Sequence, residues 1–244
     1  MLKKGLNRHL VIAVIVVFAF GLGIGLFGSS FGFKENSVTA KLVAVDDEGN
    51  GVTADLTATV RTGKGLVLVN INNLVADLDT QKSARKAAEV AAQVAEVDLN
   101  KYDVIFNIVT DADKISGGSA GTPMTLAAIA AFENKTLKED VAVTGLITEN
   151  GKIGLVGSVL EKASAAKSVG MKTMLVPVGF DRRGIERKRT KECTKYKEYD
   201  YCTISYRGVT LSEDLGIELK EVADIREALQ YALKWITIKY LILL

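Results

Sequence analysis

One histidine, two cysteines, two prolines and one tryptophan are all that the 244 residues hold of these four types. That scarcity excludes a His–Cys zinc cage, which needs four nitrogen or sulfur ligands. The single histidine, His9, precedes a long apolar run, so a catalytic site in the body of the chain has no imidazole base unless His9 leaves that position. No charge sign dominates: 31 Lys and Arg face 29 Asp and Glu, a net +2. This balance does not suggest a nucleic-acid binder, which needs a concentrated basic face. With 48% apolar and 25% charged residues, wholesale disorder is excluded too. The phosphate-binding pattern GxxxxGK[ST] is absent, so the sequence carries no sign of ATP hydrolysis. No metal and no cofactor are expected. The 22 glycines against two prolines mean that turns here rely on glycine.

Long uncharged apolar runs are also scarce, with one exception. Lys3, Lys4 and Arg8 precede Leu10–Phe27, eighteen residues without a charge. At the helical rise they cover about 27 Å, enough for a bilayer core. The run exceeds the usual core of a secretory signal and lacks the polar stripe of a buried soluble helix. It is read as an uncleaved signal anchor, a transmembrane helix through which the chain meets the membrane. A signal peptide cut near Gly28-Ser29-Ser30 is the alternative. Positive charge before the run and Asp46, Asp47 and Glu48 after it place the body on the extracytoplasmic side, or secreted if the signal is cleaved. Cys193 and Cys202 agree with export: a hairpin would close their nine-residue separation into a disulfide, with two free surface thiols as the alternative. Asn134-Lys135-Thr136 is a glycosylation sequon in that setting alone. The apolar end, Trp235–Leu244, is too short to span a bilayer by itself.

The body alternates strand and helix patterns, which predicts an α/β (α+β) domain. Residues 38–47 and 52–60 alternate apolar and polar around a polar, glycine-containing turn, a β-hairpin signature. Residues 66–71 continue the strand pattern. The alanine-rich stretch 83–97 predicts a helix, 103–109 a strand, 120–132 a helix and 141–148 a strand. A helix over 159–169 ends at Gly170 as its C′ residue. A strand over 172–177, then a strand over 217–222 and a helix over 225–233, complete the pattern. Residues 181–214 interrupt it with a basic, tyrosine-rich stretch. The expected organisation is a membrane or signal segment at 1–33, the domain core at 34–180, the insertion at 181–214, and a strand, helix and apolar tail at 215–244.

Ser119 follows Gly117-Gly118 at a predicted helix start. Glycines there allow close approach of another backbone, and free N–H groups at a helix start favour developing negative charge. That is a place for a nucleophile with an oxyanion site. An ordinary serine cap after a loop has the same pattern and is its commoner origin. A serine nucleophile needs a base, and without histidine lysine is the leading type, provided its surroundings disfavour the charged amine. On the helix after Gly157, Glu161, Ser164 and Ser168 share a polar face, while Lys162 falls within the apolar arc near Val159, Ala166 and Val169. Lys167 borders the same arc beside Leu160 and Ala163 and remains a rival.

Gly117-Gly118-Ser119-Ala120-Gly121, then Val141-Ala142-Val143-Thr144-Gly145, then Gly157 to Lys162, Ala165-Ala166, Gly170 and Lys172-Thr173 to Val176-Pro177, together resemble the proteolytic domain of the Lon protease family. The resemblance covers about 38–180 and returns near 215–233. It implies a compact α/β domain that hydrolyses peptide bonds with a Ser-Lys dyad: Ser119 as nucleophile, Lys162 as general base, Thr144 orienting the lysine amine, and the Gly118 backbone N–H in the oxyanion site. Polypeptide substrates follow, and a homo-oligomer, a hexamer by resemblance. Two departures stand out. The family commonly carries an acidic residue and a proline just before the serine, where this chain has Ser116 and Gly118. The ATPase module that feeds unfolded chains in relatives has no counterpart in this sequence. The sequence-based expectation is a membrane-anchored, ATP-independent serine peptidase. A catalytically silent membrane-tethered assembly module, or a proteolytic subunit fed by a separate ATPase, are the alternatives. The insertion carries eight Lys and Arg against five Asp and Glu over 181–200, which reads as a solvated loop.

Overall fold

The computed structural model describes residues 35–71, 77–110, 117–180, 185–196, 199–210 and 215–234. The apolar run Leu10–Phe27, Ser116 and the end 235–244 lie outside them. Among the described residues, no helix is long and apolar enough to cross a membrane.

Strands β1 (Glu35–Val45) and β2 (Gly51–Thr62) form the expected hairpin, with Val45 opposite Gly51 and Glu35 opposite Arg61. Asp46 closes the turn, its Oδ1 accepting from the N–H groups of Glu48 and Asn50. Strand β3 (Val67–Ile71) does not pair with β2. Instead β4 (Tyr102–Val109) lies between them, antiparallel to β2 and parallel to β3, giving the order β1-β2-β4-β3. The β3–β4 crossover carries helix α1 (Leu78–Val94), as parallel pairing requires. Its buried Ala84, Ala87, Ala88, Ala91 and Ala92 fall at helical spacing on one face. Their small size brings α1 close to helix α2 (Gly121–Phe132), which is buried from Gly121 to Ala131.

A second sheet orders β11-β8-β5, all parallel: β5 (Val141–Val143), β8 (Thr173–Pro177) and β11 (Glu218–Val222). The stretch expected as one strand at 141–148 is two, β5 and β6 (Leu146–Ile147), broken at Thr144-Gly145. There the chain leaves β8 and pairs with β7 (Ile153–Gly154) instead. Helix α3 (Val159–Ser168) follows, and helix α4 (Ile225–Ala232) ends the described chain, capped by Asp224. At the end of α3, Gly170 takes φ +84°. Its N–H donates to Lys167 O and that of Met171 to Ala166 O, the Schellman arrangement expected of a C′ glycine.

The larger core gathers Leu42, Leu56, Phe106, Met124, Leu126 and Ile129 between the first sheet and helices α1 and α2. A second, smaller cluster joins Val43 to Val159, Ala163, Ala166, Met174 and Val176. Adjacent β1 residues Leu42 and Val43 point to opposite faces, so β1 belongs to both clusters.

The insertion, expected as a solvated loop, is exposed where its side chains are described but is not a loop. It is an antiparallel hairpin of β9 (Ile185–Tyr196) and β10 (Tyr199–Thr210), with Cys193 opposite Cys202 and the two joined in a disulfide. Charge counting reads the exposure of Lys191–Lys195 and not the strand pairing, which the Cys193–Cys202 spacing pointed to.

Asp103 anchors the turn before β3. Its Oδ1 accepts from the N–H groups of Lys64 (2.9 Å) and Leu66 (3.1 Å), and Arg61 lies 3.7 Å from Oδ2. The bond from Lys64, then that from Leu66, then the Arg61 charge hold its carboxyl below the ordinary value of 3.8. A carboxylate depressed on folding contributes stability that is present above its unfolded pKa and lost as pH falls through the folded one. Asp103→Asn is therefore expected to lower the Tm at neutral pH and to flatten its fall on acidification. Thermal melts from neutral pH down to about pH 3 check this; an unchanged acid limb contradicts it.

Candidate active site

Ser119 sits in a 3₁₀ turn, Gly118–Ala120, that runs straight into α2. It is half-buried. Gly117 enters the turn at φ 101°, ψ 161°, a region essentially closed to residues with a Cβ. At Gly118 the space is tight: a Cβ would lie 2.6 Å from Leu146 Cδ2, the end of a partly exposed side chain that can turn aside, and 3.2 Å from Ser83 Oγ. The N–H groups of Gly118 and Ser119 open the helical run, ahead of any intrahelical acceptor.

Two neighbours pin this turn. From α1, Asp77 caps the helix by accepting Thr80 N–H at Oδ1 (2.7 Å) and accepts Gly117 N–H at Oδ2 (3.1 Å), while Ser83 Oγ donates to Gly118 O (3.3 Å). From the break between β5 and β6, Gly145 N–H donates to Ser119 O (3.2 Å), and Gly145 O accepts from Thr122 N–H (3.2 Å) and Oγ1 (2.9 Å). Sequence reading missed Asp77 and Ser83, because it began the helix at Ser83. The signal was there: an aspartate followed three residues later by the N–H it caps is a helix start.

Thr144 stands at the break, next to the residue bonded to Ser119. Its N–H donates to Leu175 O (3.1 Å), and the residue is fully buried. Among the described residues, Thr144 Oγ1 is the one buried side-chain polar atom without a hydrogen-bond partner. A hydroxyl buried unpaired costs roughly 1–3 kcal/mol, so its retention calls for a use.

Lys162 lies on the first turns of α3 and is 4% exposed. Its Nζ donates to Gly157 O at 3.0 Å. Ser158, at the helix N-cap, holds φ 56°, a left-handed backbone uncommon for serine. The close approach of α3 to the β1–β2 hairpin buries this end of the helix. A Cβ on Gly51 would run into the Glu161 carbonyl and lie 3.1 Å from Ala165 Cβ. Lys167 is exposed, its side chain beside Gly216. Burial thus separates the two lysines that the helical arc left as rivals.

Among the described residues, no group of three His, Cys, Asp or Glu side chains is placed to hold a metal. What the arrangement offers is a serine at a glycine-lined helix start, a buried amine and a buried unpaired hydroxyl.

Comparison with known proteins adds a family. Residues 52–186, more than half of the chain, match the Lon protease (S16) C-terminal proteolytic domain. The chain belongs to this family. The matched stretch includes Ser119, Thr144 and Lys162. The chain is similar to the Lon protease of Xanthomonas oryzae pv. oryzae, 28% identical over 183 residues, which are 72% of this chain and 21% of that protein. It is similar to the Lon protease of Metamycoplasma arthritidis at 26% identity over 159 residues, 63% of this chain and 19% of the relative. The archaeal Lon protease of Methanocaldococcus jannaschii is 35% identical over 82 residues, 34% of this chain and 13% of its own length. The chain thus spans about a fifth or less of the length of these relatives.

Proposed function

We propose that this Lon-family domain is a serine endopeptidase that cuts polypeptides with a Ser119–Lys162 dyad. The observation that carries it is the buried amine. A lysine at 4% exposure has lost most of the water that favours its ammonium form, so the neutral, basic form becomes accessible. Neutral Lys162 takes the proton of Ser119 Oγ as that oxygen attacks the peptide carbonyl carbon. The N–H groups of Gly118 and Ser119 receive the developing oxyanion. The C–N bond then breaks, and the Lys162 ammonium gives its proton to the leaving amine. Water attacks the resulting Ser119 ester while Lys162 accepts a proton from it, releasing the carboxylic product and restoring Ser119. Thr144 Oγ1, which has no hydrogen-bond partner in the structure, would receive the lysine amine once that amine leaves Gly157 O.

Cleavage without ATP is part of the proposal. The run Leu10–Phe27 supports a single-pass membrane anchor, and the charges around it an extracytoplasmic body. Assembly into a ring of identical copies, six by family resemblance, completes the proposal. The test is cleavage of casein or a fluorogenic peptide by the full chain in membranes, without nucleotide and beside Ser119→Ala. Activity that disappears in the variant and stays with alkali-washed membranes is expected. Cleavage that requires added ATP and a second protein, or a chain released by the alkaline wash, contradicts the ATP-independent or anchored part respectively.

A further inference from the structure

We infer that Asn134 is the attachment site of an N-linked glycan, placed at the end of α2 opposite the serine turn. This rests on the proposed extracytoplasmic body. Of the ten asparagines, Asn134 alone has a serine or threonine two places on, with a residue other than proline between. The fold adds what a tripeptide lacks. Asn134, Lys135 and Thr136 are all exposed, on the turn that leaves α2. Glu133 caps the helix, and Asn134 follows it at φ 53°. The N–H of Asn134 donates to Ala131 O (3.3 Å) and that of Lys135 to Ala130 O (2.8 Å), so Asn134 is the left-handed residue of a Schellman motif. Gly170 fills the same place after α3. The cap accounts for a left-handed residue at 134, where glycine is the commonest choice. It makes no demand on Thr136, whose side chain lies beyond the motif. Thr136 O accepts from Lys234 N–H (2.9 Å), so the turn is held at both ends while the acceptor residues stay in solvent.

The donor is an oligosaccharide diphosphate carried on a membrane lipid. A transferase joins Asn134 Nδ2 to C1 of the first sugar. The bond from C1 to the diphosphate oxygen breaks, its electron pair leaves with the lipid diphosphate, and one amide proton passes to a base of the transferase. Position then decides what the glycan does to catalysis. Helix α2 has 12 residues, about 18 Å along its axis. Ser119 stands two residues before its first residue and Asn134 two residues after its last. A glycan on Asn134 therefore grows from the far end of the helix and leaves the serine turn open to a polypeptide. The Cys193–Cys202 disulfide suits the same oxidising compartment.

The experiment isolates the full chain from the membranes of the cells that make it and maps its peptides by tandem mass spectrometry. A sugar adduct on Asn134 is expected in the parent, kept in Thr136→Ser and lost in Thr136→Ala. Asn134→Gly is expected to lose the adduct while keeping the cap, with an unchanged rate of peptide cleavage. Ser119→Ala is expected to carry the adduct as the parent does. Export is read separately, by treating intact cells with an amine reagent that cannot cross a membrane. Labelled lysines, Lys135 among them, beside a bare Asn134 overturn the glycan site and leave the exported body standing. Lysines protected until the cells are opened, beside a bare Asn134, overturn the exported body and the site with it. An adduct that persists on Asn134 in Thr136→Ala, or one found only on other residues, overturns the sequon as its cause.

Discussion

Lys162→Met is expected to lower peptide cleavage by about four orders of magnitude or more, to the residual level of Ser119→Ala. The physical reason is the division of labour in the dyad. An alcohol is a weak nucleophile at neutral pH, and the chain body contains no imidazole to activate it. Methionine matches lysine in length and suits a site that is 4% exposed, so the fold is expected to survive, with a Tm equal to or above that of the parent. The bond from Nζ to Gly157 O is lost, but so is the cost of burying an amine. Because the two residues act as a unit, Ser119→Ala combined with Lys162→Met is expected to be no slower than either alone. Initial rates on a fluorogenic peptide, with circular dichroism to verify folding, check this. A Lys162→Met chain that is folded and active removes the lysine from the mechanism, and a matching loss in Lys167→Met would redirect the role to the exposed rival.

The second large effect is a split between stability and activity at Thr144. Valine replaces its hydroxyl with a methyl of similar shape. If Oγ1 were merely a buried polar atom without a partner, Thr144→Val would relieve an unpaired group and change nothing else. The proposed role predicts both outcomes together: a protein more stable by about 1 kcal/mol, and cleavage reduced about 10- to 100-fold as the amine loses its orienting hydroxyl. Denaturant melts beside rate measurements separate the cases. Serine at this position restores the hydroxyl and is expected to recover much of the rate, although it leaves a small void. A more stable Thr144→Val chain with undiminished activity shows the hydroxyl to be dispensable.

Particular residues show how far the sequence could be read. The β1–β2 hairpin was legible because alternation and a polar turn are local signals, and its strand ends lie one to three residues from the expected ones. The insertion of β4 between β2 and β3 was not, since parallel pairing across a helix leaves no mark in a short window. The sequence VAVTGLIT is a short run of mostly β-prone residues in which Gly145 is the one local sign of a break. Its division at Thr144-Gly145 comes from tertiary bonds, Thr144 N–H to Leu175 O and Gly145 N–H to Ser119 O. That break is what brings the threonine level with the serine turn. Likewise, Lys162 and Lys167 border one arc on α3, and helical spacing cannot tell which lies beneath neighbouring chain. The close approach of α3 at Gly51 is a long-range contact, and it buries the end of the helix that carries Lys162. Ser119 and Lys162 themselves were nameable because the residue types a Ser-Lys mechanism needs fall within recognisable family stretches. Asp77 and Ser83 act on the backbone of the serine turn, and no list of chemically reactive residues would select them.

The central claim is that Ser119 is made nucleophilic by an uncharged Lys162. The rate at which a fluorophosphonate modifies Ser119 tests it most directly, followed by intact mass and peptide mapping across pH in the parent chain and in Lys162→Met. The account predicts a single adduct on Ser119 whose formation accelerates as pH rises through the titration of the lysine amine, and which is slowed by orders of magnitude in the variant. An adduct on another residue, or Ser119 labelling equally fast with and without the lysine, contradicts it.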